Sequence, residues 1–274
     1  MTARQKYATR ENPNHLELTE VACYRRTIKA NATRVWENVK DWEHLPHLHH
    51  TNFQFAELDD AGDWGWRIWS SPDHSSQVEL CYDLPNNRYV ARSYVKDQQV
   101  SEIWTSVTPS KENTNIEVRF LVKGIAPEKA LSTGEFFLKL YTTLWDEDEA
   151  MMIERQIQLD TQSDIHPLEL DLGYEDELLA SVPKTIDLKR GKFRIIAIDG
   201  VLKAHSAICP HNLGPLTSDI SENKITCPWH GYQFDIKSGE CLSPPQANCR
   251  LSKAPQITIS NESRPRVRVG FTGG

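Results

Sequence analysis

The sequence predicts an α+β domain followed by a second domain built from β-strands. In the first half of the chain, several segments alternate apolar and polar residues, as half-buried strands do. A long segment from about residue 134 to 158 repeats its apolar residues with a helical period instead. Beyond residue 183 the chain returns to short strand-like segments separated by turns. The predicted domains span residues 16–162 and 183–272, with a linker at 163–182.

The first domain begins with a predicted strand at residues 21–30 and a short helix that Asn31 or Thr33 can cap. Three sets of apolar residues then each share one face of a strand: Trp64, Trp66 and Ile68; Val78, Leu80 and Tyr82; and Ile116, Val118 and Phe120. The long helix has an apolar stripe made of Phe137, Tyr141, Leu144, Met151 and Met152. A short helix, antiparallel strands and a long closing helix resemble the helix-grip (START-like) fold. In that fold a curved sheet wraps the last helix and leaves a cavity between them.

The second domain is predicted to follow a polar linker. Residues 163–182 include two residues that interrupt strands, Pro167 and Gly173, and an acidic run at 175–177. The dipeptide Asp199-Gly200 predicts a tight hairpin between two short strands. The last strands are predicted at residues 256–260 and 266–270.

Composition limits the classes of function. Hydrophobic residues make up 39% of the chain and charged residues 25%, values typical of a soluble globular protein. The net charge of -7 argues against a nucleic-acid partner. No apolar stretch approaches the length of a membrane span, and the first fifteen residues lack the apolar core of a signal peptide. With six cysteines in 274 residues, we expect a reducing, cytoplasmic compartment.

Two short hooks in the second domain each combine a cysteine with a histidine. They are Cys209-Pro-His211 and Cys227-Pro-Trp-His230, and fifteen residues separate them. Thiolates suit one iron of a [2Fe–2S] pair and imidazoles suit the other. A zinc site and a structural hairpin with incidental cysteines are the competing interpretations. Zinc sites usually group cysteine with cysteine and histidine with histidine, which these hooks do not.

The hooks resemble those of Rieske proteins. The segments CPHNLGPL and CPWHGYQFD carry a proline after each first cysteine, Gly214, and the His230-Gly231 pair where that family has them. High-potential members have an extra cysteine in each hook, where this chain has Pro215 and Trp229. The resemblance is therefore to the low-potential kind found in ferredoxins and oxygenases. It implies a [2Fe–2S] cluster held by Cys209, His211, Cys227 and His230.

A second group of possible metal ligands lies in the first domain. Four histidines fall within seven positions: His44, His47, His49 and His50. On one helix, Asn38, Asp41 and His44 would lie near one face because they are three residues apart. Pro46 is expected to break the next turn so that a later histidine can converge. Two histidines and one carboxylate form the facial triad of non-haem Fe(II) oxygenases.

The long helix offers the carboxylate. Asp148 is four residues after Leu144 and four before Met152, so it alone among the acids at 146–149 is predicted to face inward. Burying an unpaired aspartate is costly, and a partner such as a cation is therefore expected.

These residues resemble the catalytic domain of Rieske non-haem iron oxygenases. The family pattern Asn-x-x-Asp-x-x-His-x-Pro-x-x-His is matched by Asn38, Asp41, His44, Pro46 and His49. Its late acidic ligand is matched by Asp148, which precedes Glu154 and Gln156. The resemblance implies Fe(II) bound by His44, His49 and Asp148. It also implies that Asp41 links His44 to His230 of a neighbouring subunit in a head-to-tail homotrimer, although the domain order here is the reverse of the family's.

The resemblance implies an oxygenase that uses O2 and electrons from a reductase or ferredoxin to hydroxylate or demethylate a small apolar or aromatic substrate. Candidate residues for its cavity are Trp64, Trp66, Trp69 and Trp104. His47 and His50 are the alternative metal ligands. The competing interpretation is an electron carrier or redox sensor, in which a Rieske ferredoxin-like module is fused to a metal-free ligand-binding domain. The two interpretations differ in whether His44, His49 and Asp148 meet at one point.

Overall fold

The structure is a computed structural model that describes residues 17–161, 165–216, 220–221 and 223–271. The chain divides into two compact units, Met1–Ile153 and Glu154–Gly274, here called unit 1 and unit 2. The division falls inside the long helix. The predicted domain limits at residues 16, 162 and 272 lie outside the described residues.

Unit 1 contains a seven-stranded antiparallel sheet. Two helices follow its first strand, and one long helix follows its last strand. Its strands are β1 (Leu18–Ile28), β2 (Glu57–Gly62), β3 (Gly65–Trp69), β4 (Ser76–Asp83), β5 (Arg88–Val95), β6 (Gln98–Ser110) and β7 (Asn113–Lys123), and its helices are α1 (Ala32–Lys40), α2 (Leu45–Leu48) and α3 (Pro127–Asp160). The strand order is β1-β7-β6-β5-β4-β3-β2, so β7 returns to pair with β1.

Helix boundaries in unit 1 follow local signals. The Asn31 side chain accepts a hydrogen bond of 3.1 Å from the backbone N–H of Arg34. Asn31 therefore caps α1, which begins at Ala32, as one of the two predicted caps requires. Helix α3 begins at Pro127, earlier than the predicted start near residue 134. Proline is favourable in a first helical turn because its missing N–H would have no partner there.

One face of the sheet packs against α3 and forms the core of unit 1. Phe120 of β7 stacks on Phe137 with ring centroids 4.9 Å apart and meets the edge of Tyr141 at 4.7 Å. Trp145 and Met152 continue this buried stripe along the helix. A sheet that wraps a long closing helix is the helix-grip arrangement, and the predicted α+β fold is therefore confirmed.

Two side chains differ from their predicted environments. Trp64 packs with Cys81 instead of joining Trp66 in the main core, because Gly65 has a φ of +137° that interrupts the strand alternation. Glu149 is buried beside Asp148, so Asp148 is not alone in facing inward. Glu149 binds the guanidinium of Arg26 and accepts a hydrogen bond of 2.6 Å from the backbone N–H of Lys29.

Unit 2 consists of three small antiparallel sheets and one short helix beyond α3. Its elements are β8 (Glu169–Tyr174), α4 (Glu175–Ser181), β9 (Lys184–Leu188), β10 (Gly191–Ile198), β11 (Val201–Ser206), β12 (Ile220–Ser221), β13 (Lys224–Thr226), β14 (Gln233–Asp235), β15 (Cys241–Ser243), β16 (Gln256–Ile259) and β17 (Arg266–Gly270). The sheets have the orders β11-β10-β9, β12-β13-β14-β15 and β16-β17-β8. The predicted β-rich second domain and its Asp199-Gly200 hairpin are confirmed.

Part of the predicted linker at 163–182 is folded instead. Strand β8 pairs with β17, and Leu178 of α4 is 2% exposed within the core of unit 2. The partner of β8 is β17, which lies almost at the other end of the sequence of unit 2, so no local sequence pattern predicts the pairing. Among the described helices, none combines the length and the apolar character needed to cross a bilayer.

Replacing Gly65 tests the packing of β3 on β4. An added Cβ would lie 1.8 Å from the carbonyl oxygen of Leu80, and φ is +137°. We expect Gly65→Ala to lower the free energy of unfolding by at least about 2 kcal/mol, measured by urea denaturation. Gly124→Ala is the control, because φ is +60° there and no atom lies within 4 Å of the added Cβ. Its cost should stay near 1 kcal/mol, about that of left-handed backbone alone. Equal losses of unfolding free energy in the two variants would contradict the close packing of Gly65 against β4.

Candidate metal centres

Three side chains of unit 1 place possible metal-binding atoms together. One such atom from each of His44, His49 and Asp148 lies within 4.8 Å of the other two, and all three residues are buried. Nε2 of His49 is 3.0 Å from Oδ1 of Asp148, and Nε2 of His44 is 3.5 Å from the same oxygen. The two imidazole rings meet edge to face with centroids 5.1 Å apart. The predicted triad therefore converges, and its role as a metal site stays a prediction.

The backbone reaches this arrangement by a different path from the predicted one. Helix α1 ends at Lys40, so Asn38, Asp41 and His44 do not share one helix. Pro46 does not break a turn but lies in the first turn of the short helix α2. His44 and His49 flank α2 at its two ends. One helical turn between the two histidines points both rings at the same place.

The Asp148 carboxylate is the acceptor at the centre of this site. Its Oδ1 accepts a hydrogen bond of 2.8 Å from Nδ2 of Asn38 in addition to its contact with His49. Burial alone would raise the pKa of Asp148, but His49, His44 and Asn38 together hold this pKa below its ordinary value. Asp148 is therefore a carboxylate whose two imidazole partners and one amide partner are already in place.

Two further acids contact the histidine rings. Oε2 of Glu147 is 2.6 Å from Nδ1 of His49, and Oδ2 of Asp41 is 3.7 Å from Nδ1 of His44. Burial opposes protonation of His49, but Asp148 and Glu147 outweigh it and raise the pKa of this imidazole. Sequence reasoning assigned a role to Asp41 and missed Glu147. The only feature of the sequence that could have indicated a role for Glu147 is its position next to Asp148, among four consecutive acids.

The alternative ligands are not part of the cluster. His47 and His50 are exposed, and Nδ1 of His50 lies 3.2 Å from the carbonyl oxygen of His47. They lie on the outer side of the turn that carries His44 and His49 inward.

A cavity of about 120 Å³ opens beside the triad. Its walls combine the triad with mainly apolar and aromatic side chains: Val39, Leu45, Phe53, Trp66, Val78, Leu80, Tyr89, Ala91, Tyr141, Leu144 and Trp145. Of the four tryptophans predicted to line it, Trp66 does so. Trp64 packs on Cys81, Trp69 stacks on His74 and Trp104 lies under the guanidinium of Arg88. Because side chains alternate between the two faces of a strand, Trp69 lies on the opposite face from Trp66, but alternation alone does not separate Trp64 from Trp66.

The two hooks of unit 2 form adjoining tight turns. The backbone N–H of Cys209 donates to the carbonyl of Gly214 at 2.8 Å, and that of Cys227 donates to the carbonyl of Tyr232 at 2.8 Å. Both cysteines are almost fully buried. A Cβ on Gly214 would lie 2.8 Å from the indole of Trp229 and 3.1 Å from Sγ of Cys227. Glycine is therefore required where the two turns approach each other.

Electrostatics in the hooks favour a thiolate. The pKa of Cys227 is lowered, first because the thiol of Cys209 donates a hydrogen bond to it and also because His230 and the backbone N–H of Trp229 do. A thiolate is the form of cysteine that binds iron.

The imidazoles of the hooks lie side by side. The rings of His211 and His230 are perpendicular, with centroids 4.6 Å apart. His230 is buried, whereas His211 is exposed and stacks on Tyr232 at 4.1 Å. The four predicted ligands are thus gathered by two turns, with one imidazole facing the protein interior and the other facing the surface.

Comparison with known protein families identifies a domain within unit 2. A model of the Rieske [2Fe–2S] domain matches residues 169–259, so the chain contains a Rieske domain that implies a [2Fe–2S] cluster. The match begins at the first residue of β8, in the segment predicted to be a linker. The individual ligands Cys209, His211, Cys227 and His230 stay a prediction.

Sequence similarity extends to one oxygenase component. The chain is 43% identical over 51 residues to the oxygenase component of dicamba O-demethylase from Stenotrophomonas maltophilia. The matched stretch covers 18% of this chain and 15% of that protein.

Several solved structures are similar to part of this chain. An aromatase/cyclase from a Streptomyces species aligns with 51% of this chain and 96% of its own, with a TM-score of 0.40 and 13% identity. Norcoclaurine synthase from Thalictrum flavum aligns with 53% of this chain and 95% of its own, with a TM-score of 0.37 and 16% identity. The ferredoxin of carbazole 1,9a-dioxygenase from Nocardioides aromaticivorans aligns with 38% of this chain and 98% of its own, with a TM-score of 0.29 and 18% identity.

The predicted cluster ligands can be separated from the other cysteines of unit 2. Cys227→Ser is expected to remove the visible absorption and the acid-labile sulfide of the cluster, because a serine oxygen replaces a buried thiolate. Cys241→Ser is the matched control, since Cys241 begins β15 and lies outside both hooks. It should keep both signals. Loss of the cluster in the control alone would show that the ligand set is misassigned.

Proposed function

We propose that this chain is a Rieske-type oxygenase, in which unit 1 holds a mononuclear Fe(II) and unit 2 holds the [2Fe–2S] cluster. The observation that carries the proposal is the convergence of His44, His49 and Asp148 beside a cavity. A ligand-binding domain without a metal has no need of two histidines and a carboxylate buried at one point. The Rieske domain supplies the means of electron transfer that such an iron requires.

The residues of the triad fit a divalent iron. Two imidazoles and one carboxylate are the donor set of non-haem Fe(II) oxygenases, and they leave coordination positions open. All three donors already point at a common centre, with Oδ1 of Asp148 in contact with both rings. When bound, Fe(II) supplies the reduction and activation of O2, using electrons that reach it through the [2Fe–2S] cluster.

The cavity residues select the substrate. Trp66, Tyr89 and Trp145 give it aromatic walls, and its volume of about 120 Å³ suits a small molecule. We therefore propose a small apolar or aromatic substrate that these walls hold against the triad while excluding water. The reaction is hydroxylation or demethylation. The name of the similar oxygenase component describes O-demethylation, which supports the second of these.

Unit 2 would accept electrons from a reductase or a ferredoxin. Cys209 and Cys227 hold one iron of the cluster in this proposal, and His211 and His230 hold the other. The exposed ring of His211 gives an electron donor a point of approach, whereas His230 is buried. The six cysteines, all within the described residues, form no disulfide, which suits a reducing compartment, and we propose that the protein is cytoplasmic.

Asp41 is proposed as the link between the two metals. Its carboxylate lies 3.7 Å from Nδ1 of His44, and its side chain is 20% exposed. Its Oδ2 faces a triad histidine, and its Oδ1 accepts a hydrogen bond of 3.1 Å from the backbone N–H of Glu43. A group from outside unit 1 would approach the exposed part of this side chain. We propose that this group is His230 of a neighbouring subunit in a head-to-tail homotrimer.

Metal content tests the proposed function directly. Protein purified without oxygen should contain about three irons per two acid-labile sulfides, and His44→Ala should contain about two. His50→Ala is the control, because His50 belongs to the same segment but is exposed and lies outside the triad. It should keep the parent ratio.

The same measurement can reject the oxygenase. About two irons per two sulfides in parent and His44→Ala alike, even after reconstitution with Fe(II), would leave only the cluster. The protein would then be an electron carrier or redox sensor with a ligand pocket. The expected three irons per two sulfides would instead direct the search toward oxidised products of small aromatic compounds.

A kinetic experiment tests Asp41. Asp41→Ala should keep the iron and sulfide of the parent, but oxidation of its reduced cluster by O2 should be at least about tenfold slower. His44→Ala provides the reference, because its cluster can react with O2 only directly. The rate of Asp41→Ala is expected to fall to that reference. An oxidation rate equal to the parent's would remove Asp41 from the path.

A further inference from the structure

Glu147 connects the buried triad to the surface of unit 1. Its carboxylate oxygen Oε2 lies 2.6 Å from Nδ1 of His49. The side chain of His49 is 2% exposed, whereas that of Glu147 is 30% exposed. Both Glu147 and Asp148 come from the middle of α3, so one helical segment contacts both nitrogens of the same imidazole.

The two nitrogens of His49 have different partners. Nε2 faces Asp148 at 3.0 Å, on the side of the triad, and Nδ1 faces Glu147 on the other side. An ionised carboxylate can only accept a hydrogen bond, so a hydrogen on Nδ1 satisfies Glu147. A neutral imidazole carries one hydrogen. With that hydrogen on Nδ1, the lone pair of Nε2 is free to bind a cation at the triad.

The second histidine of the triad is held less closely by its acid. Nδ1 of His44 lies 3.7 Å from Oδ2 of Asp41, beyond the length of a hydrogen bond. The contact between Glu147 and His49 is more than an ångström shorter by comparison. Glu147 therefore lies within hydrogen-bond distance of a triad ring, on the side away from Asp148.

We propose that Glu147 is a positioning residue that fixes the orientation and tautomer of His49 and thereby increases the affinity of unit 1 for a divalent metal. This inference rests on the metal site of the proposed function. Acids that accept a hydrogen bond from a ligating histidine contribute to metal affinity without touching the metal. A cation bound at Nε2 would leave the hydrogen on Nδ1 of His49, where Glu147 accepts its hydrogen bond.

The neighbouring acid Asp146 offers a matched control. It precedes Glu147 on α3, its side chain is 60% exposed, and it binds Arg26 on the outside of the unit. Asp146→Ala removes the same charge from the same helix without touching His49. Glu147→Gln is the second comparison, since its amide oxygen can accept the same hydrogen bond without the charge.

Equilibrium dialysis against Co(II) alone measures the effect in protein that carries its cluster. Glu147→Ala and Glu147→Leu should bind Co(II) about 10–100-fold more weakly than the parent. Glu147→Gln should stay within about threefold of the parent, because the hydrogen bond and not the charge selects the tautomer. Asp146→Ala should bind as the parent does.

Proton NMR of the Co(II)-loaded protein gives an independent readout. Metal-shifted N–H signals report the hydrogens on ligating imidazoles. The N–H signal of His49 should exchange slowly with water in the parent and in Glu147→Gln, and rapidly in Glu147→Ala. A parent protein without such a slowly exchanging signal would overturn the proposal even if the alanine and leucine variants failed to fold.

The outcomes separate this inference from the proposed function. If the parent binds Co(II) more tightly than His44→Ala but Glu147→Ala equals the parent, the role of Glu147 is overturned and the metal site stands. Glu147→Gln as weak as Glu147→Ala would also overturn it, since charge alone would then account for the effect. A parent that binds no more Co(II) than His44→Ala would end both proposals.

Discussion

The buried carboxylate of Asp148 is the constraint around which unit 1 is organised. An ionised acid inside an apolar core is strongly destabilising unless polar or cationic groups surround it. Here Asn38 donates to it from α1, and His44 and His49 approach it from the two ends of α2. These contacts hold its pKa low despite its burial. The position of α2 against α3 thus depends on a charge that apolar packing alone would have excluded.

The rest of unit 1 provides the rigid support for that charge. Phe120 and the aromatic residues of α3 fix the helix on the sheet, and Glu149 ties the same helix to β1 through Arg26. Asp148 therefore has little freedom to move toward water. Because the apolar walls of the cavity stand on this same sheet, the shape of the pocket and the geometry of the triad are set by one packing arrangement.

Unit 2 solves a different problem with backbone turns. Two cysteines and two histidines must meet although fifteen residues separate one hook from the other. Each hook is closed by its own backbone hydrogen bonds. Gly214 permits the two turns to approach within the width of a methyl group. The result is a site whose donors are preorganised by local turns, whereas the donors of unit 1 depend on long-range packing. Cluster assembly should accordingly tolerate changes in distant strands better than the triad does.

The sequence by itself determined the elements whose signals are local. The hooks could be identified from spacing, the hairpin from Asp199-Gly200, and the inward face of Asp148 from its distance to Leu144 and Met152. Tertiary structure decided what depends on distant partners. It paired β8 with β17 where a linker was expected, placed Trp66 but not Trp64 against the cavity, and brought Glu147 to His49. The physical reason is that a residue's period assigns it to a face of its own element, while its contacts depend on which remote element packs against that face.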